Sequence, residues 1–224
     1  MALVNDEESP LAALADTLLP LKAGQELSVA ATKSCIASLA GLAAIVAGWS
    51  GDEALNEGLH LLPEQLAAAF VLDWSAALPA LSEARNLFVI GRGFGLAVAQ
   101  EAALKLKETC ALHAEAFSSA EVKHGPMAIV HDGFPILAMA TSDTAGDGVR
   151  EVAQEFASRG ARVLLASPAG AIDGTIHLPA RLFAPALEPV LLIQSFYRLA
   201  NSLSLARGLD PDNPPHLSKV TRTV

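Results

Sequence analysis

The sequence predicts an α/β fold in three layers, a parallel sheet with helices on both faces, and three observations predict it. Residues 87–90, 135–140 and 161–166 are short apolar runs without the alternation of a half-exposed strand. Helical patterns separate these runs. Gly91-Arg92-Gly93 joins the first run directly to a helix. The composition agrees: 52% of the 224 residues are hydrophobic and 17% charged, which excludes a disordered chain and a polar coiled coil. A chain of this length can bury a core without a disulfide or metal staple.

Residues 1–4 read as a short strand and 5–10 as a turn. Ser9-Pro10 caps and starts a helix expected to run through Leu19, with the proline where its missing N–H costs little. Residues 28–49 are nearly continuous in apolar and small side chains, predicting an alanine-rich helix, with Thr32 and Lys33 near its start, buried on several faces. Leu55, Leu59, Leu62, Leu66, Phe70 and Leu78 then stand mostly at helical spacing, with Pro63 expected to start a new helix. The strand at 87–90 leads into a helix from about 96 to 110. The alternation repeats as a strand at 135–140, a helix at 148–158 and a strand at 161–166. A short strand at 175–178 and a long apolar helix at 188–205 follow.

These elements divide the chain into a first portion (1–50), a helical connector (51–84), an α/β domain (85–208) and a tail (209–224) rich in Pro and Asp. The first portion holds too few elements for a complete sheet. The chain is therefore expected either to start inside a first α/β domain or to borrow its missing part.

Fifteen Lys and Arg against 24 Asp and Glu give a formal charge of −9, which disfavours nucleic acid and acidic membrane surfaces as partners. Cys35 and Cys110 are far apart, form no CxxC pair and follow no secretory leader, so two reduced, buried thiols in a cytoplasmic protein are expected. The uncharged run 36–49 is shorter than the roughly 20 residues a bilayer requires and contains Gly41 and Gly48, so it reads as a core helix rather than a membrane span.

Several groups carry candidate chemistry. Gly91-Arg92-Gly93-Phe94-Gly95 could bring backbone donors to a phosphate, but lacks the last glycine of the dinucleotide fingerprint; a structural turn accounts for it equally. Glu101, Lys105 and Glu108 fall on one helical face, so that Lys105 can pair with both carboxylates, either as a solvated ladder or as the wall of a cleft. Glu121-Val-Lys-His-Gly-Pro126 fixes His124 in a loop, where it is either a satisfied structural histidine or a proton carrier, and Glu108 could take a proton from a carbon beside a carbonyl. No HxH or HExxH spacing is present, and neither a metal nor a cofactor is expected. Lys219 is either a loose terminal charge or, held over a pocket, a Schiff-base amine for an open-chain sugar.

Residues 102–108 (Ala-Ala-Leu-Lys-Leu-Lys-Glu), 113–117 (His-Ala-Glu-Ala-Phe) and 121–127 (Glu-Val-Lys-His-Gly-Pro-Met) resemble, in order, the SIS (sugar isomerase) domain family, and within it the isomerase half of glucosamine-6-phosphate synthases and the related aminosugar phosphate deaminases. The resemblance runs from residues 24–33 to residues 213–219, nearly the whole chain. It implies a flavodoxin-like αβα SIS domain with a parallel sheet, preceded by part of a first SIS domain. It also implies roles: Glu108 moves a proton between C1 and C2, Lys105 lies beside that base, His124 assists ring opening, Lys219 forms the imine, and Val29 and Ser218 contact the sugar.

The resemblance further implies a homodimer whose subunits complete each other's sites. Two departures stand out: no cysteine-led glutaminase domain is present, and the first domain's front half, with its Ser/Thr phosphate loops, is missing. The leading expectation is interconversion of fructose 6-phosphate and glucosamine 6-phosphate, with the stretch truncated and its activity alone left open. A standalone aminosugar phosphate deaminase and a noncatalytic sugar-phosphate-binding regulatory module are the alternatives.

Overall fold

The computed structural model describes residues 1–219. Its order is β1 (Ala2–Val4), α1 (Pro10–Ala13), β2 (Leu18–Pro20), α2 (Lys33–Ser50), α3 (Glu53–Phe70), α4 (Leu78–Leu81), β3 (Asn86–Gly91), α5 (Phe94–Cys110), β4 (His113–Ser118), β5 (Pro135–Met139), α6 (Thr144–Ser158), β6 (Arg162–Ser167), β7 (Ile176–Pro179) and α7 (Glu188–Ala206). Short 3₁₀ turns occupy Ser75–Ala77, Glu121–His124 and Pro126–Ile129.

β3 to β7 form one wholly parallel sheet in the order β4-β3-β5-β6-β7. Successive side chains of a strand point to opposite faces. Phe88, Ile90, Ile136, Ala138, Val163 and Leu165 accordingly pack with Val149, Val152 and Phe156 of α6. Leu87, Val89, Leu137, Met139, Leu164 and Ala166 pack on the other face with α5 and α7, through Ala99, Leu106, Phe196 and Leu203. Burial on both faces is why these strands read as unbroken apolar runs.

β1 and β2 pair in parallel as a separate two-stranded sheet. The helix expected through Leu19 is a single turn, capped by Ser9, after which the chain extends into β2. Pairing explains the correction: the Ala2 amide donates to the Thr17 carbonyl and β1 pairs with Leu18–Pro20, drawing the chain into extended backbone, which Pro20 also favours at Leu19 before it. Pro63 starts no new helix but lies inside α3. The hydrogen bond it forgoes is offset by Leu62 and Ala69, which bury against Leu187 and Leu191.

α2 starts at Lys33 rather than near Ser28, because Glu26 accepts from the Thr32 and Ser34 amides (3.1 and 2.7 Å) and from the Ser34 hydroxyl, capping the helix from a preceding loop. Those bonds hold the Glu26 carboxyl below its ordinary range, against the opposing effect of burial. The expectation of a helix buried on several faces is corrected. Only Ala47 of α2 is buried, and Leu42, Val46 and Trp49 are exposed. α2 packs against α3, β1 and α7 on one side only, and by length and composition it is long and apolar enough to cross a membrane. Cys110 is buried as expected, whereas Cys35 on α2 is half-buried.

β4 is unanticipated, since residues 113–118 are a mixture of polar and small side chains. It lies at the sheet edge beside β3, where one strand face and one ladder remain open and a continuous apolar run is unnecessary. Ala111, in the left-handed region at φ 49°, turns the end of α5 directly into it.

Candidate active site

α5 carries the densest chemistry. Ala102, Ala103, Leu106 and Cys110 bury toward the sheet and α7, and Lys105 is buried with them at 6% exposure. An ammonium so placed needs counter-charges. Glu108 Oε2 lies 2.6 Å from Lys105 Nζ, and Glu101 Oε1 lies 3.4 Å away on the opposite turn. The row is thus not a solvated ladder: a buried ammonium sits between two half-buried carboxylates. From α7, the Tyr197 hydroxyl donates to Glu101 Oε1 at 2.9 Å. Burial pushes the Glu101 carboxyl above its ordinary range, with Lys105 and Tyr197 opposing the shift. Burial and the neighbouring carboxylate also drive the Tyr197 phenol upward, so that it remains a donor.

Lys105 and Thr109 face a cavity of about 520 Å³ whose other walls include Ser28, Ile36, Tyr197 and Asp212. Two segments at opposite ends of the chain meet at its rim. The Val29 amide donates to the Asp212 carbonyl (3.2 Å), and the Ser28 hydroxyl donates to Asp212 Oδ1 (2.5 Å). Lys219 Nζ donates to the Ser28 carbonyl at 2.7 Å and approaches the Val29 carbonyl at 3.5 Å. Val29 and Lys219 are therefore neighbours, with Ser218 exposed beside them.

His124 is elsewhere. It ends the exposed 3₁₀ turn after β4, whereas Glu108 lies just before β4 begins. The six-residue strand β4 lies between them, with one at each of its ends. One copy of the chain does not bring His124 to the Lys105–Glu108 pair.

The glycine-rich turn is explained by packing. A Cβ on Gly91 would lie 2.5 Å from the Gly95 carbonyl oxygen, and Gly93 adopts φ 54° against Ala145. At the neighbouring β5–α6 loop, buried Glu188 accepts from the Ser142 amide at 2.6 Å and from the Phe183 amide at 3.0 Å, and Asp143 accepts from Gly146 N and Thr141 Oγ1. Carboxylates thus already satisfy these donors of that loop. Sequence reasoning missed Tyr197 and Asp212. Tyr197 is the chain's single tyrosine, set in an apolar helix, and an isolated hydroxyl there was the available signal.

Residues 80–166 match the SIS domain. The glutamine–fructose-6-phosphate aminotransferase (isomerizing) of Bacillus subtilis is 33% identical over 98% of the chain, which spans only 38% of that relative's length. A candidate phosphosugar isomerase from Silicibacter pomeroyi shares 43% identity at a TM-score of 0.87, over 94% of this chain and 64% of its own. The C-terminal domain of the Francisella tularensis glucosamine-fructose-6-phosphate aminotransferase is 27% identical at a TM-score of 0.77, over 93% and 63%. Glucosamine-6-phosphate deaminase from Thermotoga maritima is 25% identical at 0.73, over 97% and 65%. With its parallel αβα sheet and these matches, the chain carries a SIS domain at residues 80–166 and over most of its length resembles the C-terminal domain of glutamine–fructose-6-phosphate aminotransferases.

Proposed function

We propose that the chain catalyses proton transfer between C1 and C2 of a hexose 6-phosphate, interconverting fructose 6-phosphate and glucosamine 6-phosphate. The observation that supports this reading is a cavity lined by Lys105, which pairs with Glu108 at 2.6 Å, and by Ser28 and Asp212, with the Lys219 amine on the Ser28 carbonyl at 2.7 Å. In the direction of synthesis, the Lys219 amine leaves the Ser28 carbonyl, adds to the C2 carbonyl of the open-chain ketose and expels water, forming an imine. Ammonia displaces the lysine from C2. Glu108 then removes a proton from C1 of the protonated imine, leaving an enolamine, and returns it to C2, while the C1 hydroxyl proton passes to the new amine and leaves an aldehyde at C1. Val29 and Ser218 contact the sugar.

His124 assists ring opening from a second copy of the chain, which makes the working unit a homodimer. A cytoplasmic location suits the two free thiols, Cys35 and Cys110. Deamination of glucosamine 6-phosphate is the same path reversed, with water finally hydrolysing the imine. The likeness to a glucosamine-6-phosphate deaminase, at 25% identity and a TM-score of 0.73, supports this second direction.

Borohydride reduction in the presence of fructose 6-phosphate tests the reading. The expected product is a stable sugar adduct on the peptide carrying Lys219, lost in Lys219→Arg. Turnover of glucosamine 6-phosphate, with and without added ammonia, separates the two directions. Glu108→Gln keeps the shape of the base without its acceptor and is expected to lower kcat by about 10²–10⁴. An adduct on another lysine, or undiminished turnover in Glu108→Gln, rejects the mechanism.

A further inference from the structure

The proton transfer proposed at Glu108 changes the charge of a buried wall. With Glu101 and Glu108 ionised and Lys105 protonated, that wall holds one negative charge in excess. When Glu108 takes the carbon's proton its charge is lost, and Lys105 is balanced by Glu101 alone. Were Glu101 protonated beforehand, the same step would leave the buried ammonium without any counter-charge, a state strongly disfavoured away from water. Burial pulls Glu101 toward that protonated form. Opposing it are Lys105 and one neutral donor from another helix, the Tyr197 hydroxyl at 2.9 Å.

We propose that Tyr197 is a positioning residue for the proton transfer: its hydroxyl, donated to Glu101, holds that carboxylate ionised against Lys105, so that the ammonium keeps a partner after Glu108 has been protonated. The inference rests on the reading of Glu108 as the base. The charged and titratable groups facing Glu101, or the cavity beside it, are Lys105 and Glu108 on α5, Arg198 with Tyr197 on α7, Cys35 and Lys33 on α2, and Asp212 of the tail. Of the cations only Lys105 pairs with Glu101. The Cys35 thiol lies beside the Tyr197 hydroxyl and is pushed upward by burial, so it adds no charge near neutrality.

Tyr197→Phe removes the donor and keeps the ring. Losing a hydrogen bond to a charged acceptor is expected to move the acid-side inflection of kcat upward by about one pH unit, lowering kcat up to about tenfold on the acid limb, with KM unchanged. The sign follows from Glu101: activity is present where it is ionised and is lost as pH falls through its titration, which the variant moves to higher pH. Glu101→Gln is expected to lower kcat as well, and Tyr197→Phe added to it is expected to do nothing further.

The ¹³C-carboxyl resonance of Glu101, assigned by its loss in Glu101→Gln, gives a second reading that needs no turnover. It is expected to titrate about one unit higher in Tyr197→Phe. An unshifted carboxyl titration, an unmoved kcat inflection, or fully multiplicative effects in the double variant each overturn the proposal. If the wild-type chain turns over no aminosugar phosphate, the functional reading fails by itself, and the carboxyl titration alone decides whether Tyr197 governs Glu101.

Discussion

Arg207 shows how far one side chain fixes the site without lining the cavity. Its Nε donates to the Cys110 carbonyl at 2.7 Å, and its Nη1 reaches the carbonyls of Leu81, Ser82 and Ala84 at 2.8–3.2 Å. One guanidinium thereby satisfies the carboxyl ends of α4 and α5, and holds in place the turn of α5 that carries Glu108. Lysine carries the charge but not the planar fork. Arg207→Lys is therefore expected to cost about 1–3 kcal/mol, lowering the melting temperature by several degrees in a chain of this size. An unchanged melting temperature would show the carbonyls to be satisfied otherwise. The shared helical face of Glu101, Lys105 and Glu108 was legible from their spacing, whereas Val29 and Lys219 were assigned roles by the resemblance alone. Tyr197 and Arg207 were not legible, since each acts on a helix far from it in sequence, and no local pattern encodes such a contact.

Two glycines separate packing from propensity at the level of the element. Gly146 opens α6, where a Cβ would fall 1.8 Å from the Thr141 carbonyl oxygen and 2.5 Å from its carbon. Both are backbone atoms, so no rotamer change relieves the clash. Gly146→Ala is expected to displace the start of α6 and destabilise the fold by about 1–3 kcal/mol or more. Gly48, inside α2, has nothing within 4 Å of its would-be Cβ. There alanine is expected to stabilise by roughly 0.5–1 kcal/mol, through helix propensity alone. Denaturant midpoints measure both, and a shared sign would reject the distinction.

The same two forces decide what was readable among the elements. β3, β5 and β6 declared themselves because both faces are buried. β4 did not, because an edge strand lacks that requirement. α1 deviated because the residues after its first turn pair with β1, and α3 deviated because tertiary packing carried it through Pro63.

For the whole molecule, the parallel order of the sheet keeps His124 and Glu108 at opposite ends of β4, and the proposed homodimer turns that separation into a test. Glu108→Gln and His124→Ala are each expected to be nearly inactive alone. Mixed and re-equilibrated, they are expected to recover about a quarter of the wild-type rate, because half of the dimers are then mixed and each carries one intact site. Failure to recover activity would mean that the two groups do not serve one site across subunits. The existence of one large α/β unit was legible from its strands. The exposure of α2 was not, because an apolar composition states what a helix tends to bury and leaves open how much of it is covered.

That exposure gives the chain a natural pair of optical reporters. Trp74 is buried at 3% exposure, with its indole N–H donated to the Pro179 carbonyl, whereas Trp49 at the end of α2 is 88% exposed. Emission should resolve into a blue, quencher-resistant component and a red, acrylamide-accessible one. Whatever settles onto the end of α2 will recolour only the second, so one fluorescence titration registers that event with an internal standard already in place.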